Sequence, residues 1–185
     1  MIARKCYLCD AYNEIYIYIY SFISDYCWYM QKNHLVKNYD SWGKVFSISF
    51  SITVFKSQSW DWTNVFHFTA DGDNEKFGDR IPALFINKNK YFQICSAVND
   101  VGNYCKKYYF ELRKEYSIMI SQYQKGNKYF FQIIIDNVIK LEVENTQAKY
   151  FLNVKFYASN PWSFSGFHSD LGKACDFNIV SGGGT

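Results

Sequence analysis

The chain has 185 residues, 49% of them apolar and 21% aromatic, which excludes ordinary disorder and allows one domain with a substantial core. Twenty Lys and Arg against seventeen Asp and Glu leave a formal charge of +3, a mild balance that by itself neither demands nor excludes a nucleic-acid partner.

At the N-terminus, Arg4 and Lys5 precede the run "IYIYIYSFI" at 15–23, a loose imitation of a secretory leader. Asp10 and Glu14 interrupt it, and no small-x-small cleavage site follows. The run is too short to span a membrane as a helix, and its Ile/Tyr content reads better as a strand. Leader, strand and gene-model artefact stay open, so residues 1–40 are set apart, with a boundary near Lys37–Ser41.

Residues 45–55, "VFSISFSITVF", carry the clearest signal. Phe46, Ile48, Phe50, Ile52 and Val54 alternate with Ser47, Ser49, Ser51 and Thr53, the period of a strand with one face on a core. A strand at Val65–Thr69 leads into the polar loop "ADGDNEKFGD", and Pro82 admits a strand only at its start, over Ala83–Ile86. Tyr91–Val98, Lys107–Leu112 and Tyr116–Gln122 are further predicted strands. Residues 129–144 predict a hairpin in which Asp136 and Asn137 form a two-residue turn of positive φ. Strands at 153–159 and 174–180 close a domain over 41–180, and "SGGGT" at 181–185 reads as a frayed tail. Roughly ten short strands, no convincing helix and two prolines predict an all-β, antiparallel two-sheet sandwich.

Among six cysteines, Cys95 and Cys105 enclose "SAVNDVGNY", a turn-rich excursion that a disulfide would close, which implies an oxidising compartment. Cys6 and Cys9 form a CxxC, but no second close pair or ligand-spaced histidine completes a zinc site. Cys27 and Cys175 could pair with those N-terminal cysteines, and the sequence does not fix the connectivity.

The stretches "WGKVFSISFSITV", "WTNVFHFTADGD", "YFFQIIIDNVIKLEVENT" and "NVKFYASNPW", in this order and spacing, resemble the laminin G-like branch of the concanavalin A-like lectin/glucanase jelly rolls. The resemblance covers about three quarters of the chain, residues 41–180. It implies two curved antiparallel sheets and an extracellular adhesive or glycan-binding role. It does not identify a ligand, because one scaffold serves lectins, adhesion modules and hydrolases.

Sugar recognition wants a ring beneath the saccharide and polar groups at its edge. Trp162, in the turn "SNPWSFSGF", is the leading ring, with Trp60, Trp62, Tyr104, Phe164 and Phe167 as further candidates. Arg80, Asn99, Asp100, Asn103 and Asn160 complete the predicted ligand set; Arg80 would offer its fork of donors, or else pair with Asp73 or Asp79 and pin the loop. Asp71, Asp73 and Asp79 are the candidate calcium ligands, against a hydrated acidic turn as the plainer reading. Glu142 and Glu144 share one strand face, but "EVENT" lacks the further acid of the glucanase strand, so a glycoside hydrolase stands behind the binding readings. His34, His67 and His168 form no triad or metal trio in the sequence, and Lys106 and Lys107 beside Tyr108 and Tyr109 are too small a patch for a nucleic-acid platform. The chain therefore reads as a secreted, non-enzymatic module for a glycan or an extracellular protein, without nucleic acid or a membrane span. A purely structural or adhesive module is the alternative.

Overall fold

The computed structural model describes residues 18–22, 27, 32–163 and 165–182. Among them are thirteen strands and no helix. They are β1 (Tyr18–Phe22), β2 (Leu35–Trp42), β3 (Phe46–Val54), β4 (Trp62–Thr69), β5 (Ala83–Asn87), β6 (Tyr91–Val98) and β7 (Val101–Tyr109). After these come β8 (Glu115–Lys125), β9 (Lys128–Ile135), β10 (Val138–Glu144), β11 (Phe151–Tyr157), β12 (Ser165–Gly166) and β13 (Gly172–Gly182). The first sheet runs β1-β13-β3-β8-β9-β10 and the second β2-β11-β4-β5-β6-β7. All pairings are antiparallel except that of the short β12 with β4.

Alternation builds the core. Phe46, Ile48, Phe50, Ile52 and Val54 of β3 are buried while Ser47, Ser49 and Ser51 face outward. From the second sheet Phe66 meets Phe50 edge-on at 5.3 Å, and on the core side of that sheet Phe68 of β4 stacks on Phe156 of β11 at 4.2 Å with 9° between planes. Offset and edge-to-face pairs of this kind add to what area burial alone supplies.

Two of the tight hairpins rest on an Asx pair in the left-handed region. Asp136 and Asn137 have φ of 52° and 61° between β9 and β10, as the sequence predicts. Asn99 and Asp100, at 51° and 62°, turn β6 into β7 in the same way. The segment between Cys95 and Cys105 is thus a hairpin rather than a loop excursion. The two cysteines lie directly opposite in the ladder, and their disulfide crosses it. A cross-link closing so short a segment removes about 2–3 kcal/mol of chain entropy from the unfolded state. The second disulfide joins Cys27 to Cys175 on β13; Cys6 and Cys9 lie outside the described residues.

The domain extends beyond the boundaries that the sequence suggests. β2 runs through the break placed near 37–41 and pairs with β11 from Leu35 to Trp42. At the other end, Ser181 and Gly182 belong to β13 rather than to the tail. Gly43 approaches this strand so closely that a Cβ would lie 1.6 Å from the carbonyl oxygen of Gly182, and its N–H donates to Ser181 Oγ at 2.9 Å. Only glycine fits there.

A candidate binding face on the second sheet

β4 carries Phe66 and Phe68 inward and His67 outward, so His67 starts the outer face of the second sheet. It is nevertheless fully buried, because the segment after β11 folds over it. Its Nε2–H donates to the carbonyl of Asp79 at 2.6 Å, and its Nδ1 accepts from the amide of Asn160 at 2.9 Å. Burial disfavours the imidazolium and lowers the pKa to about 4, with Asp73 partly opposing the shift, so the ring is neutral at physiological pH. The ring thereby joins two loops, 71–80 and 158–163.

Asn160 carries the connection onward. Its Oδ1 accepts the N–H groups of Trp162 (3.1 Å) and Ser163 (2.8 Å), and its own N–H donates to Asn64 Oδ1 at 2.8 Å. With no exposed surface, Asn160 positions Trp162 and does not face a ligand, a correction to its predicted role. Trp162 rests against Tyr157 at 5.7 Å and His67 at 5.6 Å, yet leaves 45% of its surface open.

The acidic loop is a hydrogen-bonded staple. Both oxygens of the buried Asp79 are engaged by backbone N–H groups: Oδ1 by Gly72 (3.3 Å), Oδ2 by Asn74 (2.8 Å) and Lys76 (3.0 Å). Asp73 Oδ1 accepts from Arg80 Nε at 2.7 Å, and Asp71 is exposed. Among the described residues no group of three His, Cys, Asp or Glu side chains converges as metal ligands would, so the three aspartates do not form the calcium cage the sequence suggested. Replacing Asp79 by alanine strands three N–H donors and is expected to cost about 2 kcal/mol, read as a lowered urea midpoint.

Arg80 follows the plainer of its two readings. Its guanidinium binds Asp73, donates from Nη1 to Asn103 Oδ1 at 2.5 Å, lies 3.5 Å from Glu75 and covers the ring of Phe85 at 4.9 Å. Gly102 seals the same junction, since a Cβ there would stand 2.4 Å from the backbone carbon of Lys76. Asn103 thus anchors Arg80. The other residues of that hairpin turn elsewhere. Asn99 bonds the backbone of Glu144 and Thr146, Asp100 pairs with Lys149 at 3.6 Å, and Tyr104 packs against the core beneath the ammonium of Lys106. These three do not join Trp162. Phe167 is buried in the core, and Phe164 lies outside the described residues.

What the residues do assemble is a continuous aromatic strip across the strands. Tyr157, Trp162, His67, Phe85, Trp62, Tyr91 and Tyr109 touch in that order, with successive ring centres between 5.6 and 6.4 Å apart. The Cys95–Cys105 disulfide and Ala83 lie beside it, and Lys107 sits over Tyr91 at 5.0 Å. The sequence does not point to Phe85 or Tyr91, and points to Tyr109 only within the small basic patch of Lys106, Lys107 and Tyr108. The signal of these three rings is the strand period itself, which places each opposite the core-facing residues beside it.

The architecture matches known solved structures. The chain is similar to the native heptameric SAP-like pentraxin from Limulus polyphemus, at a TM-score of 0.51 and 9% identity, over 90% of this chain and 76% of that one. The fold is a jelly-roll sandwich. This jelly roll is also similar to Trypanosoma rangeli sialidase in complex with 2,3-difluorosialic acid, at a TM-score of 0.51 and 12% identity, over 75% of this chain. It spans 20% of the sialidase's length. No protein-family model matches the chain, and no curated protein matches it in sequence. No helix among the described residues is long and apolar enough to cross a membrane.

Proposed function

We propose that the chain is a non-enzymatic, extracellular, laminin G-like module that receives a glycan on the outer face of the second sheet, with Trp162 as the stacking platform. The carrying observation is a ring that is half open to solvent and yet held from beneath by Tyr157, His67 and the Asn160 turn. A platform fixed before the ligand arrives spends little conformational entropy on binding. The strip beyond it is buried at His67, Phe85 and Tyr91 and so stiffens the platform, with open ring surface returning at Tyr109. Two disulfides support the extracellular assignment, since such bonds persist in oxidising compartments.

Glycan-array binding tests this reading, with sialic acid among the probes because the similar sialidase is known in complex with it. Trp162→Ala is expected to weaken binding at least about tenfold, equivalent to about 1.4 kcal/mol, while the melting temperature stays near that of the parent. Unchanged glycan binding in the folded variant would remove Trp162 from the site. A protein partner captured without any glycan binding would favour the adhesive reading.

A further inference from the structure

The opposite face of the molecule carries a second constellation. On the first sheet, Ser47, Ser121, Gln132 and Glu142 stand in register on the adjacent strands β3, β8, β9 and β10. Their chain neighbours Ile48, Ile120 and Ile133 are fully buried in the core, so this row points outward. Even so, Ser121 and Gln132 expose only 6% and 9% of their surface. They form the floor of a trough. On one side stand Tyr123 and Phe130, stacked at 5.6 Å with 22° between their planes. On the other lies the apolar row Met119, Ile134 and the exposed Ile139.

The polar groups in this trough are fixed but not saturated. Glu142 Oε2 accepts from Tyr123 O–H at 2.8 Å and from Gln132 Nε2 at 2.6 Å. Burial and the bond to Glu142 both raise the Tyr123 pKa, keeping that phenol a donor. Glu142 Oε1, Gln132 Oε1 and the hydroxyls of Ser47 and Ser121 take no hydrogen bond from a described residue. The neighbouring Glu144 is neutralised by Lys128 at 2.9 Å, which leaves Glu142 as the carboxylate whose charge the trough presents.

We propose that this trough is a second binding site, specific for neutral saccharides. The carboxylate oxygen accepts from sugar hydroxyls, Gln132 Oε1 accepts a further one, and the two serine hydroxyls can donate or accept. The Tyr123–Phe130 pair offers a ring surface to the C–H face of the sugar. An acidic sugar is disfavoured, because its carboxylate would face Glu142 at the centre of the row, while Lys128 at its end is already paired with Glu144. A solvated strand face accounts for the serines. It does not account for a carboxylate, an amide and a phenol locked together beside stacked rings. With the Trp162 face on the other sheet, the module would hold two glycan chains back to back, a geometry that links surfaces through avidity.

Two-dimensional amide NMR on the whole chain tests this, with cellotriose and maltotriose as neutral probes and sialic acid as the acidic one. The expected result is a shift of the Gln132 side-chain amide and the Ser121 backbone amide with a neutral trisaccharide. These shifts should persist in Trp162→Ala, disappear or weaken at least about tenfold in Glu142→Ala, and be missing with sialic acid. Glu142 is exposed, so its removal leaves the core intact, which the dispersion of the remaining signals verifies. No shift at these amides with either neutral probe, shifts that survive in Glu142→Ala, or shifts lost in Trp162→Ala would each overturn the second site.

Discussion

Replacing Phe68 by alanine is expected to lower the unfolding free energy by about 3–5 kcal/mol, the range for removing a large ring from a packed core. Phe68 is fully buried between the sheets. It stacks on Phe156, lies 4.7 Å from Trp42 and touches Tyr39 and Phe66, so its loss opens a void that four other rings line. Those rings come from β2, β4 and β11, and none can close the gap without leaving its own strand register. The measurement is urea unfolding followed by tryptophan fluorescence, with the midpoint shifting and the slope unchanged. A loss below about 1.5 kcal/mol would mean that the aromatic stack relaxes into the space and is not the keystone of the sandwich.

The same ring shows why much of the fold was legible. Phe68 lies in "VFHF", and Phe50 in "SISFSIT"; where apolar and polar residues alternate, the faces of a strand are fixed before any tertiary contact is known. β3 and the β9–β10 hairpin were therefore readable almost to their ends. β2 was not, because Lys37, Asn38, Asp40 and Ser41 give it the composition of a linker, and its pairing with β11 spans more than a hundred residues. The first half of β7 hid behind an expectation about cysteines: reading Cys95 and Cys105 as the mouth of a loop obscured an Asn-Asp turn equivalent to the Asp-Asn turn at 136–137.

The candidate site was legible in its residue types and not in their roles. Trp162, Arg80, Asn103 and Asn160 do meet on one side of the second sheet, through His67 and Phe85. Arg80 and Asn160 proved to be supports, because buried polar groups bond to one another before they can serve a ligand. Sequence shows which side chains can donate and accept; the count of partners each already has is a tertiary property. Asn145 makes the point most plainly. It bonds Gln122 from the first sheet and the carbonyl of Ala97 from the second, and nothing in "ENTQ" announces it as a bridge between layers.

His67 gives the site its own acid sensitivity. Its pKa falls from 6.5 to about 4 on folding, so between these values the unfolded chain binds a proton that the folded chain refuses. Stability from this residue is complete above about pH 6.5, declines as pH falls through the window, and is exhausted below about 4. The slope is about 1.4 kcal/mol per pH unit and the total about 3 kcal/mol. Structure gives the reason. A protonated Nδ1 would point an N–H at the Asn160 amide that now donates to it, and the charge would sit in a site without solvent. Carboxylates add their own acid dependence, so the informative quantity is the difference between the parent and His67→Gln, measured by urea unfolding from pH 7 to 4. Glutamine retains one donor and one acceptor but cannot titrate. The parent should lose about 3 kcal/mol more than the variant over this range; parallel curves would show that His67 is already solvated in the folded protein, and the Trp162 platform would then lack the dry polar link that holds it to the 71–80 loop.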